Sequence, residues 1–419
     1  MAATLNEEQG LALAGIKDWL NGPFQPFCVL RGSAGTGKTY CIRELTNVTK
    51  GRFIFTAPTN KATKVLRESV TQDDYTPECR TIYSLLGLRL EANGEVKELK
   101  APEDPIDLSQ YKAVIVDEGS MVNSQVFEHI KKTAEEFQIR FLFLGDPAQL
   151  PPVGEQSSPI WALGNTLALN KVMRHDNQIL ELATRLREQV DRLAPTIKLA
   201  AANNGDDEGI WKMEGARFTQ HILATADDFA QAPGSKVIAW RNVEVDRFNK
   251  LIRDRLFNNP SEPWLVGDRV LFTSPARDID DEPMASTDDE GEITRVEVEY
   301  HAVYGDFKTY RIAITLDDNK PVVARVLHPE SQARYAQRSE ELAGIARSNA
   351  RKWKDFWDFK DAFHSLKYAY AITSHRAQGS TYDTAFVYWQ DILLNRNRQE
   401  AFRCLYVAVT RPKRCLILS

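Results

Sequence analysis

"CVLRGSAGTGKTYCIREL", residues 28–45, decides how this chain is read. Its apolar start, Cys28-Val29-Leu30, has the character of a buried strand, and a helical pattern begins at Lys38. Between them runs G-x-x-x-x-G-K-T, from Gly32 to Thr39. A strand before and a helix behind aim the loop's backbone N–H groups and the helix N-terminus at phosphate oxygens. Gly35, Thr36 and Gly37 line that cradle, Lys38 reaches the β and γ phosphates, and Thr39 offers a hydroxyl to Mg²⁺. The bland alternative is a glycine turn. Pattern and context together favour ATP.

Working outward, "RFIFTAP" (52–58), "AVIVDE" (113–118) and "RFLFLGD" (140–146) are further continuous apolar runs, as expected of parallel strands buried on both faces. Helical patterns at about 38–49, 60–70 and 122–137 alternate with them, so an α/β doubly wound sheet is expected over residues 1–165. "LRLEANGEVKELK" (88–100) interrupts the alternation with a hairpin signal at Asn93-Gly94. A second α/β pattern spans about 166–270, with "KVIAW" (236–240) as a strand, and resumes near the C-terminal end. Between its halves, "ITRVEVEYHAVYGDFKTYRIAITL" alternates polar and apolar residues, which predicts an inserted antiparallel barrel. The acidic run 277–292 before it reads as a mobile loop.

Composition narrows the class. The chain has 419 residues, 43% hydrophobic and 26% charged, enough for several domains with cores of their own. Net charge is −5, so any polyanion must be held in a local cleft. The five cysteines show no C-x-x-C spacing, which points to reduced thiols in a cytoplasmic protein and to no zinc site; the histidines show no metal-ligand spacing, so Mg²⁺ is the one metal expected. No apolar run approaches the length of a membrane span.

Two more strand ends carry chemistry. "VIVDEGS" (114–120) supplies Asp117 as a Mg²⁺ partner and Glu118 as the group that orients and deprotonates water. "FLGDPAQLPPV" (143–153) supplies Gln149, an amide that can touch both γ-phosphate and water. Standing alone, the first could be a helix cap and the second a proline-rich turn. Converging on one site, they describe an ATPase.

The chain resembles superfamily 1 helicases of the B branch, the Dda-like and RecD-like enzymes, over almost its whole length. "SHRAQGSTYD" (374–383) and "LYVAVTRPKR" (405–414) resemble that family's fifth and sixth motifs. "VIVDEGS" departs from it, with Gly119 where a larger small residue is commoner. The resemblance implies two RecA-like motor domains, the first over 1–165 with a pin insertion at 85–110, the second over 166–270 and 365–419, and an SH3-like β-barrel inserted at 271–364. It implies that Gln9 binds adenine, that Gly379 belongs to the nucleotide site, and that Arg174 and Arg411 reach the γ-phosphate from the second domain. It further implies strand contacts from Thr59, Asn60, Lys61, Thr81, Ser84, Ser374, His375 and Gln378. Such hydroxyls and amides hold sugar-phosphate without reading bases. Several of them would serve equally as helix caps, and His375 as a core histidine.

At the hairpin, Leu90 or Val96 is the expected pin contact. The aromatic stripe of 351–370 (Trp353, Phe356, Trp357, Phe363, Tyr370) is read as packing of the barrel onto the second motor domain. The implied function is an ATP-dependent DNA helicase, a monomer moving 5′ to 3′ on single-stranded DNA in a bacterial or phage-infected cell. Expected partners are single-stranded DNA, its junction with duplex, and single-strand-binding or replication proteins; a membrane is not among them. Three rivals stand beside it: a translocase that strips proteins without unwinding, a P-loop kinase of a small molecule, and a RecD-like subunit of a nuclease.

Overall fold

The computed structural model describes residues 5–72, 76–93, 96–100, 106–171, 178–192, 199–203, 208–280 and 282–419, excepting the side chains of 89–93, 96, 97, 191 and 203. Arg174 and the side chains of Leu90 and Val96 therefore lie outside the described residues.

The chain builds two parallel sheets. In the first, the strand order is Glu78–Thr81, Arg52–Ala57, Tyr111–Val116, Arg140–Gly145, Phe27–Gly32 and Thr166–Leu169, every pair parallel. The last of these extends the sheet past the expected boundary at residue 165. The inner runs are apolar throughout because helices cover both faces. Helices Lys38–Val48 and Asn60–Val70 bury Ile42, Leu45, Leu66 and Val70 on one side, and Ser124–Glu136 buries Val126, Phe127 and Ile130 on the other. Strands Tyr111–Val116, Arg140–Gly145 and Phe27–Gly32 are neighbours, so their three carboxyl ends open at one place. That is the geometry of a ligand crevice in an open α/β sheet.

The second sheet runs Ala371–Thr373, Ser235–Ala239, Tyr382–Val387, Pro412–Leu418, Gly209–Lys212 and Ala202–Asn203, parallel except for the final pair. Between its first and second halves sits a five-stranded antiparallel sheet, ordered Pro321–Leu327, Lys308–Leu316, Glu290–Tyr300, Arg269–Phe272 and Leu366–Tyr368. The hairpin expected around Asn93-Gly94 forms, pairing Arg89–Asn93 with Val96–Lys100.

Three expectations are corrected. The acidic run 277–292 is not a loop throughout. Ala276–Arg277 pairs with Pro283–Ala285, and Asp278 accepts the N–H groups of Asp280 and Glu282, so these acids cap their own backbone. The inserted unit is not all β, since helices Gln332–Ser348 and Trp353–Asp361 close it. The aromatic stripe packs inside that unit. Phe359 and Phe363 cluster with Tyr304, Phe307 and Tyr335, and of the stripe only Tyr370 enters the core of the second sheet.

Among the described residues no helix is long and apolar enough to cross a membrane. All five cysteines are free.

Candidate nucleotide site and strand track

The phosphate loop is built by backbone conformation. Gly35 and Gly37 both adopt left-handed φ, 79° and 81°, where a Cβ is costly. Gly37 is the N-cap of Lys38–Val48 and offers no side-chain cap, so the helix's first N–H groups face the loop. Thr36 is fully buried, its hydroxyl donating to Ser33 O at 2.9 Å. Lys38 bends over the loop and donates to Gly32 O (2.7 Å) and Ser33 O (3.1 Å). Those carbonyls hold the ammonium where a phosphate would meet it. Thr39 is the helix's second residue.

Gln9 closes the loop from behind. It completes a capping box with Asn6, and its Nε2 donates to Thr36 O at 3.1 Å. That amide lies so near Gly37 that a Cβ there would meet it at 2.4 Å. Gln9 is thus a structural clamp on the loop as well as the expected adenine contact.

The acids stand at the end of the neighbouring strand. Asp117 N–H donates to Thr56 O, and Glu118 N–H donates to Asp117 Oδ1 at 2.8 Å. Glu118 takes a left-handed φ of 50°, uncommon outside glycine and a mark of backbone arranged for function. Burial, then the charge of Asp117, pushes the Glu118 carboxyl up to about 7, against the pull of Arg411 and Lys38. Burial likewise raises Asp117. Two crowded, half-buried carboxyls ask for a cation, and the donor set of Asp117 carboxylate and Thr39 hydroxyl is the hard oxygen chemistry that suits Mg²⁺. Gly119 follows for a steric reason. A Cβ there would meet Ile160 Cδ1 at 2.7 Å and Leu144 O at 3.1 Å, which accounts for the missing alanine.

The second sheet meets all three strand ends. Gln378 Nε2 lies 3.3 Å from both Gln149 Oε1 and Ser120 Oγ. Arg403 donates to Gln149 O at 2.9 Å. Tyr406 OH donates to Asp146 Oδ2 at 2.5 Å and accepts from Ala34 N–H of the phosphate loop, while Arg187 pairs with Asp146. Burial, with Asp146 beside it, pushes the Tyr406 phenol well up, so it is a neutral donor. The motifs around Gln149 and Gln378 were legible in the sequence; Tyr406, Asp146, Arg187 and Arg403 were not assigned, although Asp146 ends a quoted strand and Tyr406 lies in a quoted motif.

Arg411 is buried on the second side. Its guanidinium donates to Val407 O (2.9 Å), Ser380 O (3.1 Å) and Thr410 Oγ1 (2.8 Å). It acts on Glu118 through charge, and contact with a γ-phosphate requires it to leave these partners.

The expected strand residues serve several ends. Thr59 and Thr81 cap the helices Asn60–Val70 and Ile82–Leu85, accepting from Ala62 and Ser84 N–H at 3.1 Å. Ser374 is fully buried and its hydroxyl turns to Ala239 O. Gly379, expected at the nucleotide, lies against the Asn60–Val70 helix start, where its Cβ would meet Ala62 at 3.1 Å. Asn60, Lys61, Thr81 and Ser84 do converge, lining a cavity of about 370 Å³. Its other wall is the inserted unit's Asp288, Asp289, Glu290 and Asp317. Lys61 pairs with Glu290 at 2.7 Å and with Tyr382 OH, Asn60 donates to Ser286, and Lys64 donates to Asp317 O. Glu290 also holds Lys236 at 2.8 Å and lies 3.9 Å from Arg269. Burial opposes its ionisation, yet Lys236, Lys61 and Arg269 together hold the carboxyl well below its usual range.

With this geometry in place, comparison with known proteins adds the family. A domain family described as AAA domain matches residues 4–205, and one described as UvrD-like helicase C-terminal domain matches residues 368–419. The ATP-dependent DNA helicase dda of Enterobacteria phage T4 is 26% identical, over 92% of this chain and 92% of its own. This chain is a Dda helicase homologue. Among solved structures, Pif1 helicase at forked duplex DNA aligns with a TM-score of 0.53 and 16% identity, covering 99% of this chain and 92% of that one. Pif1 from Bacteroides, in complex with ADP-AlF3 and single-stranded DNA, gives 0.52 and 15% with the same coverage. The Dda relationship spans both sheets and the inserted unit, so the two domain matches belong to one continuous homologue.

Proposed function

We propose that the chain is an ATP-dependent DNA helicase of the Dda and Pif1 type. It moves 5′ to 3′ on single-stranded DNA and separates duplex as its two RecA-like lobes close on ATP. In this reading the first lobe runs through the strand Thr166–Leu169, the second is built on the other parallel sheet, and the inserted unit is an SH3-like barrel closed by two helices. The observation that carries it is the set of bonds from the second sheet to the three strand ends: Gln378 to Ser120 and Gln149, Tyr406 to Asp146 and to the phosphate loop. A small-molecule kinase gains nothing from tying its phosphate site to a second α/β sheet. A motor does, because nucleotide then sets the distance between the sheets.

The residues divide the chemistry. Lys38 and the loop N–H groups grip the phosphates. Glu118 takes a proton from water, Gln149 orients that water, and Gln378 reports the result to the second lobe. Thr39 and Asp117 would hold Mg²⁺, which would supply positive charge to the phosphates. Arg411, with Arg174, supplies positive charge from the other lobe. Asn60, Lys61, Thr81, Ser84, His375 and Gln378 form the strand track, with Thr59 and Ser374 bracing it from behind, and the hairpin at 85–110 is the pin.

The test is unwinding of partial duplexes with a 5′ or a 3′ tail by the purified protein and ATP. Separation of the 5′-tailed substrate alone supports the proposal. ATP hydrolysis stimulated by single strands without separation of either substrate favours the protein-stripping translocase instead.

A further inference from the structure

We propose that His375, Glu400 and Cys404 form a binding site for a divalent transition metal of the zinc class on the second lobe. Their ligand atoms all lie within 4.8 Å of one another, and His375 Nε2 is already 3.4 Å from Glu400 Oε1. Tetrahedral zinc, with bonds of about 2.0–2.3 Å, spaces its ligand atoms roughly 3.3–3.8 Å apart. One edge is therefore met, and the others close by rotation of half-exposed side chains.

The backbone supports the arrangement. Glu400 and Cys404 stand one turn apart on the helix Arg398–Val409, hence on one face. His375 comes from the short helix Ser374–Ala377. Cys404 is fully buried, whereas the side chains of His375 and Glu400 are 38% and 34% exposed. The thiol forms a floor, and imidazole and carboxylate form a mouth through which an ion enters from water. Thiolate, imidazole and carboxylate together select zinc or cobalt over magnesium. Three protein ligands leave a fourth position for water, the make-up of an open zinc site. Binding forms a sulfur–metal bond, and the thiol proton leaves to solvent.

The site lies next to the machinery. An ion there ties His375 to the helix that carries Arg403 and Tyr406, and fixes the segment leading to Gln378. His375 would also be withheld from a DNA strand, so occupancy inhibits strand-stimulated hydrolysis. That consequence rests on the proposed function; the metal binding does not.

The experiment titrates Co²⁺ into the full chain after chelator treatment. One Co²⁺ per chain is expected, with a near-ultraviolet thiolate-to-cobalt band that Zn²⁺ abolishes by displacement. Cys404→Ser should lose the band, and His375→Gln, at a half-exposed position that does not disturb the core, should weaken binding at least about tenfold. Cys415→Ser should keep both. No band at any Co²⁺ concentration, or a band that survives in Cys404→Ser, overturns the site. Zn²⁺ that fills the site but leaves strand-stimulated hydrolysis unchanged overturns the inhibitory role alone.

Discussion

The proposed nucleotide cleft and the proposed strand track are built on different principles. In the cleft, the groups proposed to act on phosphate and water are fixed by their own short segment: Gly35 and Gly37 by φ, Lys38 by Gly32 and Ser33 carbonyls, Glu118 by Asp117. In the track, the cations of the first lobe are fixed by a distant unit. Lys61 is held by Glu290, 229 residues on, and Lys64 by Asp317, 253 residues on. The cleft is therefore locally preformed, while the track takes its shape from how the inserted unit sits. The contrast teaches where a substitution acts: in the cleft on chemistry, in the track on assembly.

Lys38→Ala tests the cleft first. ATP turnover should fall by about 10³-fold or more, since the group binding the transferred phosphoryl is lost. Single-strand affinity, measured by fluorescence anisotropy, should stay within about twofold. An equal fall in both would erase the distinction between the regions.

Glu290→Gln tests the track. Lys236 and Arg269 would be left buried beside a neutral amide, and losing one partner of a buried charge cluster costs on the order of 3 kcal/mol. Urea denaturation reads this directly, and a midpoint like that of the unsubstituted protein would show that the hub carries little. Turnover at the P-loop should change less than stability does.

The pH profile separates the two more finely. Glu118, raised to about 7, is protonated below that pH and cannot accept a proton from water. Hydrolysis should fall about tenfold from pH 8 to pH 6. The Glu290 carboxyl, held low by its cations, stays ionised throughout, so strand affinity should lose less over that span. A flat rate profile would remove Glu118 as the base.

Smallest is Gly119→Ala, which forces Ile160 aside and should cost about 1 kcal/mol of stability. Thermal or urea unfolding checks it, and no loss would mean the Ile160 side chain yields freely.

The same contrast explains what the sequence made legible. The phosphate loop, the DE acids and Gln149 follow strand ends within a few residues, so spacing alone singles them out as candidates, and apolar runs locate every central strand of the first sheet. The hairpin followed from Asn93-Gly94. Glu290 sits in a run of acids whose composition reads as a mobile loop; burial among three cations from three elements reverses that reading, and no local pattern encodes it. Ser374 and Thr59 are polar in sequence for a second reason, hydrogen bonding to their own backbone surroundings. The helix Gln332–Ser348 is masked in the sequence by the strong strand alternation just before it.

The central claim, that both lobes act on one nucleotide and a DNA strand drives them together, is tested most directly by the ATPase rate of the unsubstituted protein and of Arg411→Ala, each with and without saturating single-stranded DNA. The account predicts a rate that rises at least about tenfold with DNA in the first and stays low in both conditions in the second, since a trans-acting arginine contributes about 10³-fold or more. Equal rates with and without DNA, or an Arg411→Ala variant stimulated like the unsubstituted protein, would contradict it.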